Sequence, residues 1–341
     1  MADRKVTFRR TGTGYVGEAT APPPEASDSF PCFGTTCAVH VIGDTPDQTN
    51  VQAVRFARLA LLDWHEAFSR FRSGSELSRL NEDPRETVPV SVSMARFIVA
   101  AVEAARLTGG LVDPTLVQEI ELAGYRGDLP EAAQAAIGVR EVLGRAPTRA
   151  PGRANPGSAW PSIRLAGGGT AVRRPVGVRL DSGGIAKGLF ADLLVAALRD
   201  HESVAINCGG DLRLGGRGSL VRPVEVCSPF EAEVLHVFEL DRGGVATSGI
   251  GKRSWIDSSG RVAHHLLDPA TGRPAFTGVV QVTALAPTAV EAEARTKAAL
   301  LSGPGRAADW LPHGGAVVYD DGHHDLVEPP RIARARSVGV H

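Results

Sequence analysis

Apolar strands and amphipathic helices follow one another along this chain without the regular alternation of a doubly wound protein. Strand-like runs separated by turn residues are TCAVHVIG from Thr36, GVRL at 177–180, SVAIN at 203–207, VLHVFEL at 234–240 and VVQVTALA at 279–286. Helical segments lie between them in no fixed order. This order predicts an α+β fold rather than a parallel sheet with helices on both faces. With 341 residues and 43% hydrophobic content, the chain can bury a sizeable core.

Four segments carry the residue spacing of helices. Residues 51–68 show helical rather than alternating apolar spacing. A second helix is predicted to begin at the cap Ser93 and to end before Gly109. Its apolar stripe consists of Met94, Phe97, Ile98, Ala101, Val102 and Ala105. A third helix is predicted over residues 184–200, and a fourth over 288–302, where a Thr-x-x-Glu capping box opens it.

Segments rich in proline and glycine divide the chain. Residues 18–31 (EATAPPPEASDSFP) are interpreted as a loop, so residues 1–32 are expected to be an N-terminal strand and linker. Residues 33–328 are expected to form the main domain. The composition of RAPTRAPGRANPGSAWP predicts a flexible insertion within it at about 144–161, and an alanine-rich run before the insertion is compatible with a helix. Residues 329–341 are expected to be a C-terminal tail.

Composition excludes several partners and locations. Lysine plus arginine (37) and aspartate plus glutamate (38) nearly cancel, so no overall field attracts nucleic acid or anionic lipid. No apolar stretch approaches the roughly 20 residues that span a bilayer. The start, MADRKVTFRR, lacks the apolar core of a signal peptide. Four cysteines, at positions 32, 37, 208 and 227, suggest buried thiols rather than a disulfide scaffold in a chain of this size, which favours a reduced, cytoplasmic setting. Their spacing fits no zinc site.

The segment RLDSGGIAKGLFAD, from Arg179, places a strand end, a carboxylate, two glycines and a lysine before a helix. Backbone donors and the helix dipole favour an anion at such a position. The alternative is an ordinary glycine turn in which Asp181 caps the helix and Lys187 is solvated. The segment alone does not decide between them. A similar segment, NCGGD, ends at Asp211 and is interpreted as a turn.

The segment HHLLDPATGRP, from His264, brings imidazoles and a carboxylate to turn positions. A simple turn explains Pro269 and Gly272. It does not explain why His264, His265 and Asp268 occur together. The segment is therefore a candidate for chemistry.

Eight segments together resemble the FAD:protein FMN transferase (ApbE) family, in which these motifs occur in the same order. They are FGTTC, FSRFRSGSELSRLN, GGLVDPTL, LDSGGIAKG, NCGGD, TSG, HHLLDPATG and AEARTKAALLSG. The resemblance spans about Phe33 to Tyr319 and implies an α+β fold of the ApbE type, with T-fold-like mixed sheets and packed helices. It also implies an enzyme that binds FAD and, with Mg²⁺, transfers FMN to a threonine hydroxyl of a partner flavoprotein, releasing AMP.

The resemblance implies roles for individual residues. The family's FAD contacts fall on Phe33, Phe71, Leu111, Val112, Asp113, Asp181, Lys187 and Leu267. Attack on the FMN-side phosphorus develops negative charge on phosphoryl oxygens, which Lys187 is suited to stabilise. His265 is our candidate for assisting deprotonation of the acceptor threonine, because a near-neutral imidazole suits that role. Asp268 completes the predicted catalytic group.

The expected metal site departs from the family pattern. The family's metal-binding positions fall on the carbonyl of Gly184, on Glu293 in place of the usual aspartate, and on the carbonyl of Thr296. Lys297 stands where a threonine hydroxyl is usual. An ammonium 4 Å from another unit positive charge raises the energy by roughly 4 kcal/mol at an effective dielectric of 20. Weakened or absent Mg²⁺ binding is therefore predicted.

Three arrangements of Glu293 and Lys297 are open at this stage. They form an internal ion pair with Lys297 at the metal position, or Lys297 turns outward and a hydrated Mg²⁺ binds Glu293 and the two carbonyls. In the third, they form an exposed i,i+4 pair that contributes a few tenths of a kcal/mol. Function has alternatives as well: FAD binding with weak or no transfer, or hydrolysis of FAD to FMN and AMP.

Overall fold

The computed structural model describes residues 24–127, 138–257 and 259–328, which contain one eight-stranded sheet, four smaller sheets and seven α-helices. The strands are β1 (Glu25–Cys32), β2 (Thr35–Ile42), β3 (Thr87–Pro89), β4 (Arg164–Ala166), β5 (Ala171–Arg173), β6 (Ser203–Cys208), β7 (Asp211–Gly215), β8 (Arg222–Cys227), β9 (Val234–Leu240), β10 (Gly243–Gly249), β11 (Ser254–Ile256), β12 (Val262–His264), β13 (Leu267–Asp268), β14 (Arg273–Pro274), β15 (Val279–Ala286), β16 (Gly315–Tyr319) and β17 (His324–Val327). The helices are α1 (Asn50–Phe68), α2 (Glu76–Glu82), α3 (Val92–Leu107), α4 (Val117–Leu122), α5 (Val139–Gly144), α6 (Ala186–Ala197) and α7 (Ala289–Ser302).

The large sheet has the order β1-β2-β6-β7-β10-β15-β16-β17, and all neighbouring strands are antiparallel. Every residue of β15 is buried, because α7 packs against this strand on one side of the sheet. Side chains of the β8–β9 hairpin form an apolar cluster with β7, β10 and β15. A continuous apolar run such as VVQVTALA is typical of a strand covered on both faces.

Helices α6 and α7 pack closely enough to bring distant residues together. A Cβ on Gly188 would lie 2.7 Å from the carbonyl oxygen of Ala289, so only glycine allows this approach. The Asp192 carboxylate then accepts hydrogen bonds from the backbone N–H groups of Ala289 and Val290, both at 2.9 Å. These bonds satisfy donors at the start of α7 that have no partner within the helix. The crossing fixes the first turn of α6 beside the middle of α7.

Two predicted segments differ in the structure. Residues 25–32 are not a loop but strand β1, which pairs with β2 along its whole length, so a domain beginning at Phe33 would omit part of the main sheet. The predicted strand GVRL is also wrong. The N–H of Leu180 donates to Asn81 Oδ1 at 2.7 Å and its carbonyl accepts from Asn81 Nδ2 at 2.8 Å, so a side chain takes the place of a strand partner.

The helix predictions are largely confirmed, with shifts at their ends. Helix α1 covers the expected residues, whereas the predicted third helix is shorter at both ends. The cap of α3 is Ser91 rather than Ser93, since Ser91 Oγ accepts from the N–H of Met94 at 3.1 Å. Thr288 caps α7 as predicted by accepting from the N–H of Glu291 at 3.3 Å. The alanine-rich run at 128–137, the segment 1–23 and the tail 329–341 lie outside the described residues.

Residues 145–159, which we call the strap, run without regular secondary structure along the side of the domain. The N–H of Gly152 donates to the carbonyl of Leu301 at the end of α7 (2.7 Å), and the N–H of Ala150 donates to Phe276 (3.0 Å). The segment predicted to be a flexible insertion is therefore held to the domain by backbone hydrogen bonds. Within the described ranges, no helix is both long and apolar enough to cross a membrane.

Candidate functional site

A cleft opens between the β1–β2 turn, the end of α1, the α3–α4 connection and the turn before α6. We call it the aromatic cleft because six rings line it, those of Phe33, His65, Phe68, Phe71, Tyr125 and His265. All eight residues predicted to contact flavin lie along its wall: Phe33, Phe71, Leu111, Val112, Asp113, Asp181, Lys187 and Leu267. Gly184, His265 and Lys297 line it as well. The fold thus gathers residues that are far apart in the sequence.

The turn between β1 and β2 presents Phe33 to the cleft. Phe33 has φ 54°, a left-handed conformation that residues other than glycine seldom adopt. Its N–H donates to His65 Nδ1 at 3.2 Å, and its ring stacks on Phe190 with centroids 5.5 Å apart. Such backbone strain tends to occur at ligand sites, where surrounding contacts maintain it. Here the contacts hold the turn so that Phe33 faces the cleft.

Arg70 forms the charged part of the cleft wall. Its guanidinium lies over the rings of Phe71 (4.3 Å) and Tyr125 (4.8 Å), and its Nε is 3.3 Å from Asp181 Oδ1. The side chain is only 7% exposed, so the cation–π contacts fix its orientation away from bulk water. The Asp181 carboxylate is thus held by Arg70 beside the rings of Phe71 and Tyr125. This arrangement suits a ligand whose heteroaromatic ring stacks in the cleft and presents an N–H group at its edge.

The strap holds two of the predicted site carboxylates. Ser158 Oγ donates to Asp113 Oδ2 at 2.5 Å, while the N–H and hydroxyl of Thr115 donate to Asp113 Oδ1 at 2.8 and 2.6 Å. The N–H of Arg153 donates to Asp268 Oδ1 at 2.7 Å, and Thr271 Oγ1 donates to Asp268 Oδ2 at 2.8 Å. Asp113 lines the aromatic cleft, whereas Asp268 lines neither this cleft nor the polar cavity that adjoins it. Its bonds hold the turn after His265 in place.

A second, polar cavity shares a wall with the aromatic cleft. Gly34, Gly183, Lys187, Arg253, His265 and Lys297 line both cavities. The polar cavity adds Thr35, Gly209, Asp211, Thr247, Ser248, Gly249 and Lys252. We call it the lysine chamber. Its hydroxyl groups and cations contrast with the rings of the neighbouring cleft.

Two lysines share one buried carboxylate in the chamber. Lys187 Nζ donates to Asp211 Oδ2 and to Glu293 Oε1, the latter at 3.2 Å. Lys297 Nζ lies 3.2 Å from the same Glu293 Oε1, and the N–H of Gly188 donates to Glu293 Oε2 at 2.9 Å. Glu293 is fully buried, so the arrangement with an exposed pair is wrong. The geometry corresponds to the internal ion pair.

The charges of the chamber shift one another's pKa values. Burial alone would lower the pKa of Lys187, but the Asp211 and Glu293 carboxylates raise it above its usual value. Burial alone would raise the pKa of Glu293, but Lys187 and Lys297 lower it. Burial and the nearby Glu293 raise the pKa of Asp211 to about 6 despite its contact with Lys187. At neutral pH Lys187 is therefore an ammonium group that faces the carboxylates of Asp211 and Glu293.

The Glu293 carboxylate, the side chain expected to hold Mg²⁺, has other partners. Both Glu293 oxygens accept hydrogen bonds, and its carbonyl accepts from Thr296 Oγ1 at 2.9 Å and from Lys297 Nζ at 3.3 Å. Across the described parts of the chain, no three His, Cys, Asp or Glu side chains are grouped to hold a metal ion. Mg²⁺ needs accessible oxygen ligands in near-octahedral geometry. The residues present do not fit this ion, because ammonium groups lie at the carboxylate that would bind it.

The paired histidines have different surroundings. His264 is fully buried, its Nδ1 accepts from the N–H of Leu266 at 3.2 Å, and it packs edge-on against Phe276. Burial lowers its pKa to about 4. His265 lines both cavities, and burial together with the charge of Arg253 lowers its pKa well below the usual value. Its imidazole is therefore neutral at pH 7.

Sequence reasoning missed several residues of the site. Asp211 was interpreted as part of a turn, whereas it begins β7 and contacts Lys187; the acid after a glycine pair was the available signal. Arg253 Nη2 donates to the Phe33 carbonyl at 3.2 Å. Arg70 lies within the segment FSRFRSGSELSRLN, but its pairing with Asp181 and that of Ser158 with Asp113 join residues far apart in the chain and have no local signal.

Comparison with known proteins identifies the family. The model of the ApbE family matches residues 33–318. The chain belongs to the ApbE family. The crystal structure of the ApbE protein from Thermotoga maritima has the same fold, with a TM-score of 0.71 and 25% identity over 89% of this chain and 97% of that one. The predicted α+β fold of the ApbE type is therefore confirmed.

Two curated relatives of this ApbE-family chain are named FAD:protein FMN transferase. The protein from Rhodobacter capsulatus is 30% identical over 311 residues, which cover 87% of this chain and 54% of that protein. The protein from Salmonella typhimurium is 26% identical over 332 residues, covering 92% of this chain and 89% of that protein. The chain thus spans about half the length of the first relative and most of the second.

Proposed function

We propose that this ApbE-family chain transfers FMN from FAD to a threonine hydroxyl of a partner flavoprotein and releases AMP. The observation that carries the proposal is the continuity of two unlike cavities. The aromatic cleft contains all eight predicted flavin contacts, and its wall passes directly into the lysine chamber. The names of the relatives from Rhodobacter capsulatus and Salmonella typhimurium support the same reaction.

The shared wall suits a pyrophosphate. Lys187 and Lys297 offer ammonium groups there, and Gly183 and Gly184 lie in the turn just before α6. A helix N-terminus and nearby cations both favour a phosphate anion. A ring bound beside Phe71 in the aromatic cleft would place the pyrophosphate of the same ligand within reach of this wall.

The proposed reaction is an in-line exchange at the FMN-side phosphorus. A bond forms between the threonine Oγ and that phosphorus, and the bond from phosphorus to the bridging oxygen breaks. AMP leaves with the bridging oxygen and its electron pair. The hydroxyl proton passes to the neutral imidazole of His265, which lines both cavities. Lys187 stabilises the negative charge that develops on the phosphoryl oxygens.

The proposal is tested with purified protein, FAD and a candidate acceptor flavoprotein, beside the acceptor's Thr→Ala variant. We expect one AMP for each flavin that becomes covalently bound, and no bound flavin on the variant. Chromatography measures AMP and free FMN, and in-gel flavin fluorescence measures the acceptor. AMP with free FMN and no labelled acceptor would instead indicate hydrolysis by water. Unchanged FAD with each acceptor tested would indicate binding only.

We also propose that the chain works in a reducing compartment such as the cytoplasm. Cys32, Cys37 and Cys208 are buried thiols that form no disulfide, and structural disulfides are typical of oxidising compartments. Fractionation of cells that produce the full natural protein tests this location. Recovery outside the cytoplasm would contradict it.

A further inference from the structure

The pair Lys187 and Lys297 has a geometry that a structural ion pair does not require. Both ammonium groups converge on one oxygen of Glu293, each at 3.2 Å, yet both side chains also line the two cavities. Lys187 is 17% and Lys297 12% exposed, whereas Glu293 is fully buried. The carboxylate thus lies behind the ammonium groups, which face the space where a ligand would bind.

Each ammonium group keeps donor capacity for such a ligand. An ammonium carries three N–H donors. Those of Lys187 reach Asp211 and Glu293, and those of Lys297 reach the carboxylate and the carbonyl of Glu293 at 3.2 and 3.3 Å. One donor on each lysine has no partner among these contacts. Two fixed cations with one available donor each can both bind the oxygens of one pyrophosphate.

Glu293 fixes the positions of the two cations. Its Oε2 accepts from the N–H of Gly188 in the first turn of α6, so the carboxylate is fixed by the backbone as well as by the lysines. Residues 293 and 297 are one turn apart on the same face of α7, which lets Lys297 fold back onto its own helix. The positions of both ammonium groups are therefore set before any ligand binds, which is the condition for effective electrostatic stabilisation.

We infer that the Lys187–Lys297 pair, held by Glu293, supplies the positive charge that a divalent cation would otherwise bring to the pyrophosphate. Transfer by this chain then requires no divalent metal. The inference rests on the proposed function for its catalytic part. Its binding part, the exclusion of a divalent cation from the site, can be measured whether or not transfer occurs.

Binding is tested with Mn²⁺ as the probe, on protein first treated with EDTA, dialysed and saturated with FAD. Electron paramagnetic resonance counts bound Mn²⁺. We expect no bound Mn²⁺ attributable to the site in the wild type, and one additional Mn²⁺ per chain in Lys297→Thr, which removes one ammonium and adds a hydroxyl. A stoichiometric Mn²⁺ in the wild type that Glu293→Gln abolishes would overturn the inference. The wild-type measurement does not depend on any variant folding.

Transfer is then measured in EDTA and in Mg²⁺. We expect the wild type to label its acceptor equally in both, and Lys297→Thr to lose about 100-fold in EDTA, as expected when a fixed charge donor is lost, with recovery in Mg²⁺. Arg295→Thr is the matched control, because Arg295 lies on the same helix but pairs with Glu291 and lines neither cavity. Loss of wild-type transfer in EDTA would overturn the inference. Absence of transfer in every condition would contradict the proposed function, and the Mn²⁺ count would still decide the exclusion.

Discussion

The aromatic cleft and the lysine chamber share a wall but are stabilised by different forces. Ring stacking and side-chain shape hold the cleft, as in the contacts of Phe33 with Phe190 and of Arg70 with Phe71. Buried charges hold the chamber, with Lys187, Asp211 and Glu293 supplied by α6, β7 and α7. A lost ring leaves a gap that neighbours partly fill, whereas a lost charge leaves its buried partner uncompensated. Substitutions should therefore have larger effects in the chamber.

Lys187→Met tests this comparison most severely. The change leaves Asp211 and Glu293 close together in a buried site with one cation fewer. We expect the free energy of unfolding to fall by about 3–5 kcal/mol and transfer to fall by about 1000-fold. Denaturant unfolding and acceptor labelling measure the two effects. Arg199→Met, which removes an exposed cation from the end of the same helical region, should leave both unchanged. Equal stability of Lys187→Met and the wild type would contradict the account of the chamber.

His265→Gln separates proton transfer from electrostatics within the chamber. The amide keeps polar atoms near the shared wall but cannot accept a proton. We expect the maximal rate of transfer to fall by about 100-fold, while FAD affinity changes less than twofold. Because the pKa of His265 lies well below its usual value, the wild-type rate should not decline as pH falls from 8 to 7, a range that lies above the pKa of about 6 of Asp211. Full transfer by His265→Gln would remove the residue from the mechanism.

His264 offers a contrast with its neighbour, because its predicted effect is on stability alone. Its pKa is about 4 in the folded protein and about 6.5 in the unfolded chain. As pH falls below about 6.5, the unfolded chain binds a proton that the folded state does not. We expect this residue to lower the free energy of unfolding by about 2 kcal/mol between pH 8 and pH 5.

Urea unfolding at both pH values measures this effect in the wild type and in His264→Asn, which has no titrating group. The difference in unfolding free energy between the two pH values should shrink in the variant. His323→Asn is the control, because the His323 side chain is 67% exposed. An unchanged difference in His264→Asn would show that His264 does not take part in the acid response.

Local signals explain which parts of the fold were predictable. The cap Thr288 and the continuous apolar run of β15 appear within a few residues of sequence, so α7 and β15 were placed correctly. Strand β1 was missed because its polar, proline-containing sequence is held by pairing with β2, which is a tertiary contact. The segment 177–180 has strand-like residues but bonds to Asn81 instead.

The residues of the site likewise divide into those with a local sequence signal and those placed by tertiary contacts. The eight residues predicted to contact flavin each lie in a recognisable segment, and all of them line the aromatic cleft. The sequence also shows that Lys297 stands where the family usually has threonine. Whether the Lys297 ammonium faces Glu293 or solvent depends on how α6 crosses α7. That crossing requires the absence of a side chain at Gly188 and the bonds of Asp192 to the start of α7. No spacing within one segment reveals such a contact.

Ser158→Ala examines the cleft, where the smallest effect is expected. The change removes one of three hydrogen bonds to Asp113 and leaves the two from Thr115. A single bond of this kind contributes about 1 kcal/mol, so we expect FAD affinity to fall by about fivefold to tenfold. The rate at saturating FAD should stay within about twofold, because the lysine chamber is untouched.

Quenching of flavin fluorescence on titration of FAD measures the affinity of Ser158→Ala, and acceptor labelling at saturating FAD measures the rate. Ser162→Ala is the matched control, because this exposed serine lies just after the strap and its hydroxyl makes no contact with Asp113. A fall in rate with unchanged affinity would mean that the strap acts on the chamber. The two cavities would then be coupled through Asp113. The conclusion that the cleft depends on side-chain shape and the chamber on buried charge, each independently of the other, would be wrong.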